Sequence, residues 1–282
     1  MRVAFAARDL SMYTSKSAGP PLALPDLQRL KRENAKIVCV TAYDASLAAR
    51  ADEAGIDLVL VGDSLGMVVQ GHASTLPVTM DAMAYHVACV ARGLSRAFLV
   101  ADMPFMSYRD VPTAMSNATR LIAESGAAMV KLEGADWVCE VIDALSRREI
   151  PVCAHLGLTP QSIHRLGGYR VQGREQADAE RLRADARKVQ EAGAQLLVLE
   201  CVPAPLAAAI TRELAIPVIG IGAGADCDGQ ILVMHDLLGI TPGKRPRFAK
   251  DFLAGRDSVL AALAEYARAV RSGEYPAAEH CY

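Results

Sequence analysis

The sequence predicts an α/β fold of the (β/α)8 TIM-barrel type, built as a single domain. Short runs of aliphatic residues alternate with amphipathic segments along the chain, and eight such runs are present. The runs are almost continuously apolar, as expected for parallel strands that are buried on both faces. The length of 282 residues also suits one barrel, because barrels commonly exceed about 200 residues as a single unit.

Each predicted strand ends at a polar or turn-forming residue. The second strand shows this most clearly, because Leu58–Val61 is followed at once by Gly62, Asp63 and Ser64. In α/β folds, ligands bind where such strands end. The eight strands are predicted at residues 36–44, 58–61, 98–102, 128–133, 151–157, 196–200, 217–221 and 230–234.

An open, doubly wound sheet is the alternative to the barrel. Gly220, Gly222 and Gly224 do not complete a dinucleotide-binding fingerprint, and they come late in the chain. In a barrel this turn either holds an anion or is a tight turn with close packing, and the sequence leaves both interpretations open.

Helices are predicted between the strands, with Gly55 and Gly126 as stop signals for two of them. The long, glycine-rich loop 158–174 is expected to be a mobile lid, because loops of this length in compact domains are usually functional or disordered. The predicted helices cover residues 24–32, 45–54, 79–92, 110–125, 137–148, 176–192, 205–214, 249–253 and 258–271.

The composition of the chain argues against several classes of function. The net charge is −2, with 30 basic and 32 acidic residues, and aromatic residues make up 5%; nucleic-acid binding is therefore not expected. No stretch resembles a transmembrane helix, so no membrane partner is expected. The seven cysteines contain no C-x-x-C pair, which favours buried thiols in a reducing, cytoplasmic environment over disulfides or zinc.

The predicted domain organisation is a flexible extension at residues 1–24 followed by the barrel with its C-terminal helices at 25–282. Arg2, Arg8 and Lys16 outnumber Asp9 in the extension, so a transit peptide is an alternative interpretation. The extension lacks the long apolar segment of a secretory signal, and a cytoplasmic location is preferred.

Four acids and one lysine occupy predicted strand ends: Asp63, Asp102, Lys131, Glu133 and Glu200. Buried carboxylates are costly unless they are paired or bound to a cation. Lys131 and Glu133 are two residues apart on one strand, so their side chains share a face. A carboxylate set without histidine or cysteine spacing favours Mg²⁺, which would also bind the oxygens of a 2-oxo acid. Lys131 would bind the carboxylate of that acid.

Glu200 has apolar neighbours that would desolvate it, which suits a general base. His155 would contact the substrate or orient Glu200, and Ser64 would donate a hydrogen bond to a substrate oxygen. Taken singly, each of these residues could instead have a structural role, as a helix cap, a member of an ion pair or a core histidine. Their coincidence at predicted strand ends is what indicates a metal-assisted enolate site.

Ten motifs between Pro25 and Pro276 carry a resemblance to a known family: Val61–Met67, Gln70–His72, Thr75–Thr79, Ala101–Phe105, Val130–Gly134, His155–Gln161, Gly167–Tyr169, Leu199–Pro203, Ile219–Gly224 and Asp228–Val233. With them the sequence resembles the ketopantoate hydroxymethyltransferases. The resemblance implies a barrel of the phosphoenolpyruvate mutase/isocitrate lyase-like superfamily. It also implies Mg²⁺ held at Asp63 and Asp102, Glu133 as a partner in the metal shell, and a substrate that contacts Ser64 and Lys131.

For the reaction, the resemblance implies that Glu200 removes the C3 proton of 3-methyl-2-oxobutanoate to give a Mg²⁺-stabilised enolate. The enolate would then take a one-carbon unit from the co-substrate 5,10-methylenetetrahydrofolate, forming ketopantoate for pantothenate and coenzyme A synthesis. The family forms homodecamers, so the same assembly is expected, consistent with a hydrophobic content of 52%.

Two other functions stay open at this point. The same fold and acids suit the lyases of the superfamily, although these commonly carry a cysteine in their lid motif and loop 158–174 has none. A non-catalytic binding barrel is the third interpretation, and the full set of strand-end acids disfavours it.

Overall fold

Eight parallel strands form the centre of the computed structural model, which describes residues 19–243 and 245–282. The strands are β1 (Ile37–Thr41), β2 (Leu58–Val61), β3 (Phe98–Asp102), β4 (Met129–Glu133), β5 (Val152–Gly157), β6 (Leu196–Glu200), β7 (Val218–Ile221) and β8 (Gly229–Leu232). They lie in chain order, and β1 pairs with both β2 and β8. The sheet is therefore a closed barrel; this prediction is confirmed and the open sheet is wrong.

The strands are buried along almost their whole length, as their apolar composition predicts. In β2 and β3 every residue is buried, because the inner face fills the barrel and the outer face is covered by helices. The helices are α1 (Leu24–Arg32), α2 (Ala45–Glu53), α3 (Leu65–Val68), α4 (Met80–Gly93), α5 (Val111–Thr119), α6 (Trp137–Ser146), α7 (Ile163–Leu166), α8 (Gln176–Glu191), α9 (Ala204–Glu213), α10 (Met234–Leu237) and α11 (Val259–Arg271).

Side-chain caps fix where several helices begin. Asp44 accepts hydrogen bonds from the backbone N–H groups of Ser46 and Leu47, at 2.8 and 2.9 Å, before α2. Thr79 and Asp110 cap α4 and α5 in the same way. Each cap satisfies N–H groups that have no partner inside the helix and contributes about 1 kcal/mol.

The helix predicted at 249–253 is wrong, because the side chain of Asp251 competes for the backbone. Its Oδ1 accepts hydrogen bonds from the N–H groups of Leu253 and Ala254, both at 3.0 Å. The N–H of Phe252 donates instead to the carbonyl of Leu237, at 2.8 Å. With these donors occupied, the segment forms turns rather than a helix.

The helix predicted as continuous over 110–125 changes its winding near the end. α5 gives way to a π-helical turn at Arg120–Glu124, where the N–H and hydroxyl of Ser125 both donate to the carbonyl of Arg120. Two further short helices, α3 and α7, lie in predicted loops. The eighth strand ends at Leu232 and not at Met234 as predicted, because the short helix α10 begins at Met234.

Helix α1 lies at the amino end of the barrel, away from the strand carboxyl ends. Lys31 forms an ion pair of 2.6 Å with Asp228, just before β8, and the N–H of Leu22 donates to the carbonyl of Arg96, just before β3. Of the flexible extension predicted at residues 1–24, residues 1–18 lie outside the described part of the chain.

All seven cysteines are free thiols, of which four are buried and three are partly exposed. Burial raises the pKa of Cys153 to about 12, which suppresses its reactivity. Within residues 19–243 and 245–282, none of the helices has the length and apolar character needed to cross a membrane.

Candidate active site

A cavity of about 1050 Å³ opens at the carboxyl ends of the strands. Parallel strands bring their carboxyl ends to the same rim, so the residues predicted from separate parts of the sequence meet here. The seven predicted site residues all line this cavity: Asp63, Ser64, Asp102, Lys131, Glu133, His155 and Glu200.

Strand register sets the order of these side chains around the rim. Asp102 on β3 lies opposite Lys131 on β4, and Glu133 on β4 lies opposite His155 on β5. Glu200 ends β6 opposite Gly157. The sheet therefore sets the backbone positions of these five site residues, whereas Asp63 and Ser64 lie in the segment after β2.

Lys131 and Asp102 form the closest ion pair of this cluster. The Lys131 Nζ lies 2.5 Å from Oδ1 of Asp102 and 3.9 Å from Oε1 of Glu133. Burial alone would lower the pKa of Lys131. The charges of Asp102, Glu133 and Asp63 outweigh this effect and raise the pKa of Lys131 above its usual range. Lys131 is therefore a permanent cation at the floor of the cavity.

Carboxyl groups outnumber ammonium groups in this cluster. Burial, followed by the charges of Asp102 and Glu133, raises the pKa of Asp63 well above its usual range. Burial raises the pKa of Glu133 to about 7, with Lys131 opposing the shift and Asp102 adding to it. Three buried carboxylates thus share one ammonium group, a balance that a further cation would improve.

Asp63 and Asp102 are close together, since the backbone N–H of Asp63 donates to Oδ2 of Asp102 at 2.9 Å. No group of three or more His, Cys, Asp or Glu side chains within the described ranges is arranged to hold a metal ion. Mg²⁺ is, however, usually bound by one or two carboxylates and several waters. The pair, with its excess charge, fits such an ion, and Glu133 fits a more distant role.

His155 lies between two carboxylates. Its Nδ1 is 3.2 Å from Oε1 of Glu133 and its Nε2 is 3.4 Å from Oε2 of Glu200, yet neither nitrogen has a hydrogen bond of good geometry. Burial and the charge of Lys131 lower the pKa of His155, so the imidazole is neutral. Through its single N–H it can donate one hydrogen bond to one of the carboxylates or to a ligand placed between them.

Glu200 stands on the opposite side of the rim from Asp63 and is the most open of the acids, with 14% of its side chain exposed. The next residue, Cys201, has a φ of +49°, so the chain turns sharply away after Glu200. Gly157 packs against the Glu200 backbone so closely that a Cβ at position 157 would collide with the Glu200 carbonyl. The position of this acid is therefore fixed by main-chain contacts.

Sequence reasoning missed Gln161 as a functional residue. Its side-chain amide donates to Oδ2 of Asp63 at 2.8 Å, and its backbone N–H donates to Oε2 of Glu133 at 2.9 Å. The hydroxyl of Tyr108 donates to the Gln161 Oε1 at 2.7 Å. The only available signal was the position of Gln161 in the motif His155–Gln161.

Sequence reasoning also gave no indication that Tyr43 is a functional residue. Its hydroxyl is hydrogen-bonded to the Ser64 Oγ at 2.8 Å, and its ring is buried beside His235 with centroids 5.6 Å apart. Burial raises the pKa of Tyr43 above its usual range. The phenol therefore keeps its proton and can orient Ser64.

The glycine-rich turn after β7 has the close packing that one of its two interpretations predicts. A Cβ at Gly222 would lie 2.8 Å from the ring of Phe248, and one at Gly224 would lie 2.6 Å from the Cβ of Ala204. Both glycines have positive φ, at 61° and 86°. The turn lets the chain pass between neighbouring side chains.

Comparison with known proteins identifies relatives over nearly the whole chain. Residues 21–278 match the family model described as ketopantoate hydroxymethyltransferase. Proteins named 3-methyl-2-oxobutanoate hydroxymethyltransferase from Burkholderia mallei (strain SAVP1) and Burkholderia pseudomallei (strain K96243) are each 54% identical over 270 residues, covering 96% of this chain and 99% of the relative.

Solved structures with the same fold come from the phosphoenolpyruvate mutase/isocitrate lyase superfamily. A 2,3-dimethylmalate lyase superposes with a TM-score of 0.53 at 20% identity, covering 74% of this chain and 80% of the lyase. A phosphonopyruvate hydrolase solved with oxalate and Mg²⁺ has a TM-score of 0.60 at 14% identity, covering 90% of this chain and 98% of the hydrolase. At these identities the likeness shows the fold alone.

Proposed function

The chain belongs to the ketopantoate hydroxymethyltransferase family and is an enzyme that makes ketopantoate from 3-methyl-2-oxobutanoate in pantothenate synthesis; we propose that Glu200 starts this reaction by removing the C3 proton of the oxo acid. The observation that carries the proposal is the placement of Glu200 across the cavity from the Asp63, Asp102 and Lys131 cluster. The lyase alternative rests on the fold alone.

Mg²⁺ is the metal that the donor set suits, with Asp63 and Asp102 as its protein ligands and Glu133 as a more distant partner. The fit rests on the three buried carboxyl groups of Asp63, Asp102 and Glu133, which, in the described part of the chain, have only the ammonium of Lys131 among them as a cation. When bound, the ion supplies positive charge where the keto oxygen becomes negative.

The oxo acid lies between the two sides of the cavity. Lys131 balances its carboxylate, Ser64 donates a hydrogen bond to one of its oxygens, and Asp63 and Asp102 belong to the same subsite. His155 is neutral and lies 3.4 Å from Glu200, so it orients that carboxylate or contacts the substrate. These buried donors hold C3 toward the base, which lowers the entropic cost of the reaction.

The one-carbon donor is 5,10-methylenetetrahydrofolate. Glu200 takes the C3 proton, and the resulting enolate forms a carbon–carbon bond to the methylene group. That carbon leaves the folate nitrogens and gains its hydroxyl from water, so that ketopantoate and tetrahydrofolate are the products. The balance requires one oxo acid, one folate donor and one water.

Exchange of the C3 proton in D₂O tests the first step without folate. Proton NMR of 3-methyl-2-oxobutanoate should show Mg²⁺-dependent loss of the C3 signal. The substitution Glu200→Gln should slow exchange about 10²–10⁴-fold while metal-dependent binding of the oxo acid persists. Glu191→Gln, an exposed site on α8, is the matched control. Loss of both binding and exchange in Glu200→Gln would contradict the role of a base.

The assembly belongs to the same proposal: a cytoplasmic homodecamer of barrels, each spanning residues 25–282 with residues 1–24 as an extension. Large apolar side chains that stay exposed in one chain, such as Trp137 and Phe105 at 54% and 47%, support burial between subunits. Light scattering coupled to gel filtration measures the subunit number, and a monomer would contradict this part of the proposal.

A further inference from the structure

Arginine side chains surround the mouth of the active-site cavity. Arg170 and Arg174 come from the long loop between β5 and α8, and Arg245 and Arg247 come from the segment that follows α10. All four line the same cavity as the catalytic acids, although the two segments are far apart in the sequence. The cavity therefore has a basic entrance on two of its sides.

The acidic and the basic residues of the cavity differ in burial. Asp63, Asp102 and Glu133 are buried on its floor, whereas the four arginines are exposed. Among the described residues, no ion pair joins these acids to the four arginines. The mouth can thus attract an anionic group that never reaches the floor.

Two of these arginines have neither an ion pair nor a side-chain hydrogen bond with the described residues. Arg170 and Arg174 form none within residues 19–243 and 245–282, whereas Arg245 lies 3.5 Å from Asp251. Arg247 donates to the carbonyl of Glu279 at 2.9 Å and lies 5.6 Å from the ring centre of Tyr282. Arg170 and Arg174 are therefore the guanidinium groups with the most freedom to bind a ligand.

The size of the cavity exceeds the need of a five-carbon oxo acid. A volume of about 1050 Å³ is at the upper end of sites that hold drug-sized ligands. The aromatic residues Tyr169, Phe248 and Tyr282 also line the cavity. A lining that combines buried acids, aromatic rings and exposed arginines suits a ligand with a reactive end, a flat ring and an anionic tail.

We propose that the arginine mouth, and Arg170 with Arg174 above all, binds the glutamate carboxylates of the folate donor and favours polyglutamylated over monoglutamylated forms. This inference rests on the proposed use of a folate and assigns a subsite to its tail. Each glutamate adds a carboxylate that one guanidinium can bind by paired hydrogen bonds.

The test compares KM for 5,10-methylenetetrahydrofolate with one and with three glutamates. The unmodified enzyme should have a KM about 5–10-fold lower for the triglutamate, since each exposed ion pair contributes about 0.2–1 kcal/mol. The double substitution Arg170→Ala with Arg174→Ala should bring the two KM values within about 2-fold. Added salt should reduce the preference of the unmodified enzyme.

Two controls separate charge from structure. Replacing both residues by lysine keeps the charge and should keep most of the preference. Arg148→Ala removes an equally exposed arginine after α6, at the amino end of the barrel, and should leave the preference unchanged.

Other outcomes overturn the proposal. Equal KM values in the unmodified enzyme would exclude a tail subsite, even though the transfer reaction proceeds. A double alanine variant that keeps the preference, or that raises KM only for the oxo acid, would show that these arginines do not bind the tail. If the unmodified enzyme transferred no one-carbon unit from either folate, the proposed function itself would fail, which is a different result.

Discussion

The side-chain amide of Gln161 donates a hydrogen bond of 2.8 Å to Oδ2 of Asp63, so a loop residue after β5 positions an acid after β2. The same amide nitrogen donates to the carbonyl of Met103 at 3.0 Å. Because the hydroxyl of Tyr108 donates to Oε1, the amide cannot flip without losing all three interactions. Asp63 is therefore held in one orientation before any ligand arrives.

Replacing Gln161 by leucine should weaken Mg²⁺ binding about 10–100-fold, as is typical when a residue that orients a metal ligand is removed. Isothermal titration with the metal and the oxo acid, without folate, measures the change. Gln190→Leu is the matched control, because this glutamine of α8 accepts hydrogen bonds from the backbone N–H groups of Ala215 and Ile216 and does not line the cavity. Unchanged metal affinity in Gln161→Leu would contradict the positioning role.

Tyr43 and Ser64 should act as a unit in substrate binding. Removing the phenol in Tyr43→Phe leaves the Ser64 hydroxyl free to rotate, and KM for the oxo acid should rise about 2–10-fold. Ser64→Ala should have a similar effect. Because both variants break the same 2.8 Å hydrogen bond, the double variant should be no worse than the worse single variant. Additive effects in this cycle would show that Tyr43 acts elsewhere.

Glu133 should reduce the stability of the metal-free protein as the pH rises. The pKa of Glu133 is raised to about 7 in the folded chain, mainly by burial, so the folded state binds a proton that the unfolded state has already released above about pH 4.5. The contribution of Glu133 to stability therefore falls between about pH 4.5 and 7, whereas the lowered pKa of His155 acts in the opposite direction. Thermal unfolding of the unmodified protein and of Glu133→Gln across this range gives the Glu133 contribution as the difference between the two.

Mg²⁺ should stabilise the protein more at pH 8 than at pH 5, since a cation favours the ionised carboxylates. If the unmodified protein gained stability relative to Glu133→Gln as the pH rises, in the absence of metal, the sign of the Glu133 shift would be contradicted.

Asp52 should matter for stability and not for catalysis. Its carboxylate is buried at the amino end of the barrel, where it accepts hydrogen bonds from the N–H groups of Ser95, Arg96 and Ala97. Asp52→Ala should cost about 3 kcal/mol of unfolding free energy. Asp81→Ala, at a residue whose side chain is 87% exposed, should cost less than about 1 kcal/mol. Denaturant unfolding measures both, and KM should stay unchanged.

The strand-end acids could be predicted because the same sequence pattern marks both a buried strand and the rim of the site. Each buried strand is a run of apolar residues, and the first charged side chain after it marks both the end of the strand and the rim of the barrel. Asp63, Asp102 and Glu200 follow this rule, so their meeting in one cavity was inferred without knowing any contact.

Gln161 and Tyr43 could not be predicted in the same way. Their partners are 98 and 21 residues away, and each contact depends on how a loop or a neighbouring strand places the side chain. The helix predicted at 249–253 was wrong for a local reason. The composition of this segment suits a helix, but the Asp251 carboxylate accepts hydrogen bonds from N–H groups that a helix would use.

Gly157 has a φ of 88°, and the carbonyl of Glu200 lies where a side chain would begin. A saturation library at this position should therefore yield almost no active variants, whatever the screen. An engineer who wants the enzyme to accept bulkier oxo acids has more freedom at Leu60, Val198 and Ile231, which line the cavity from the strands. These positions can change in size while the main-chain support of the acid at the end of β6 stays as it is.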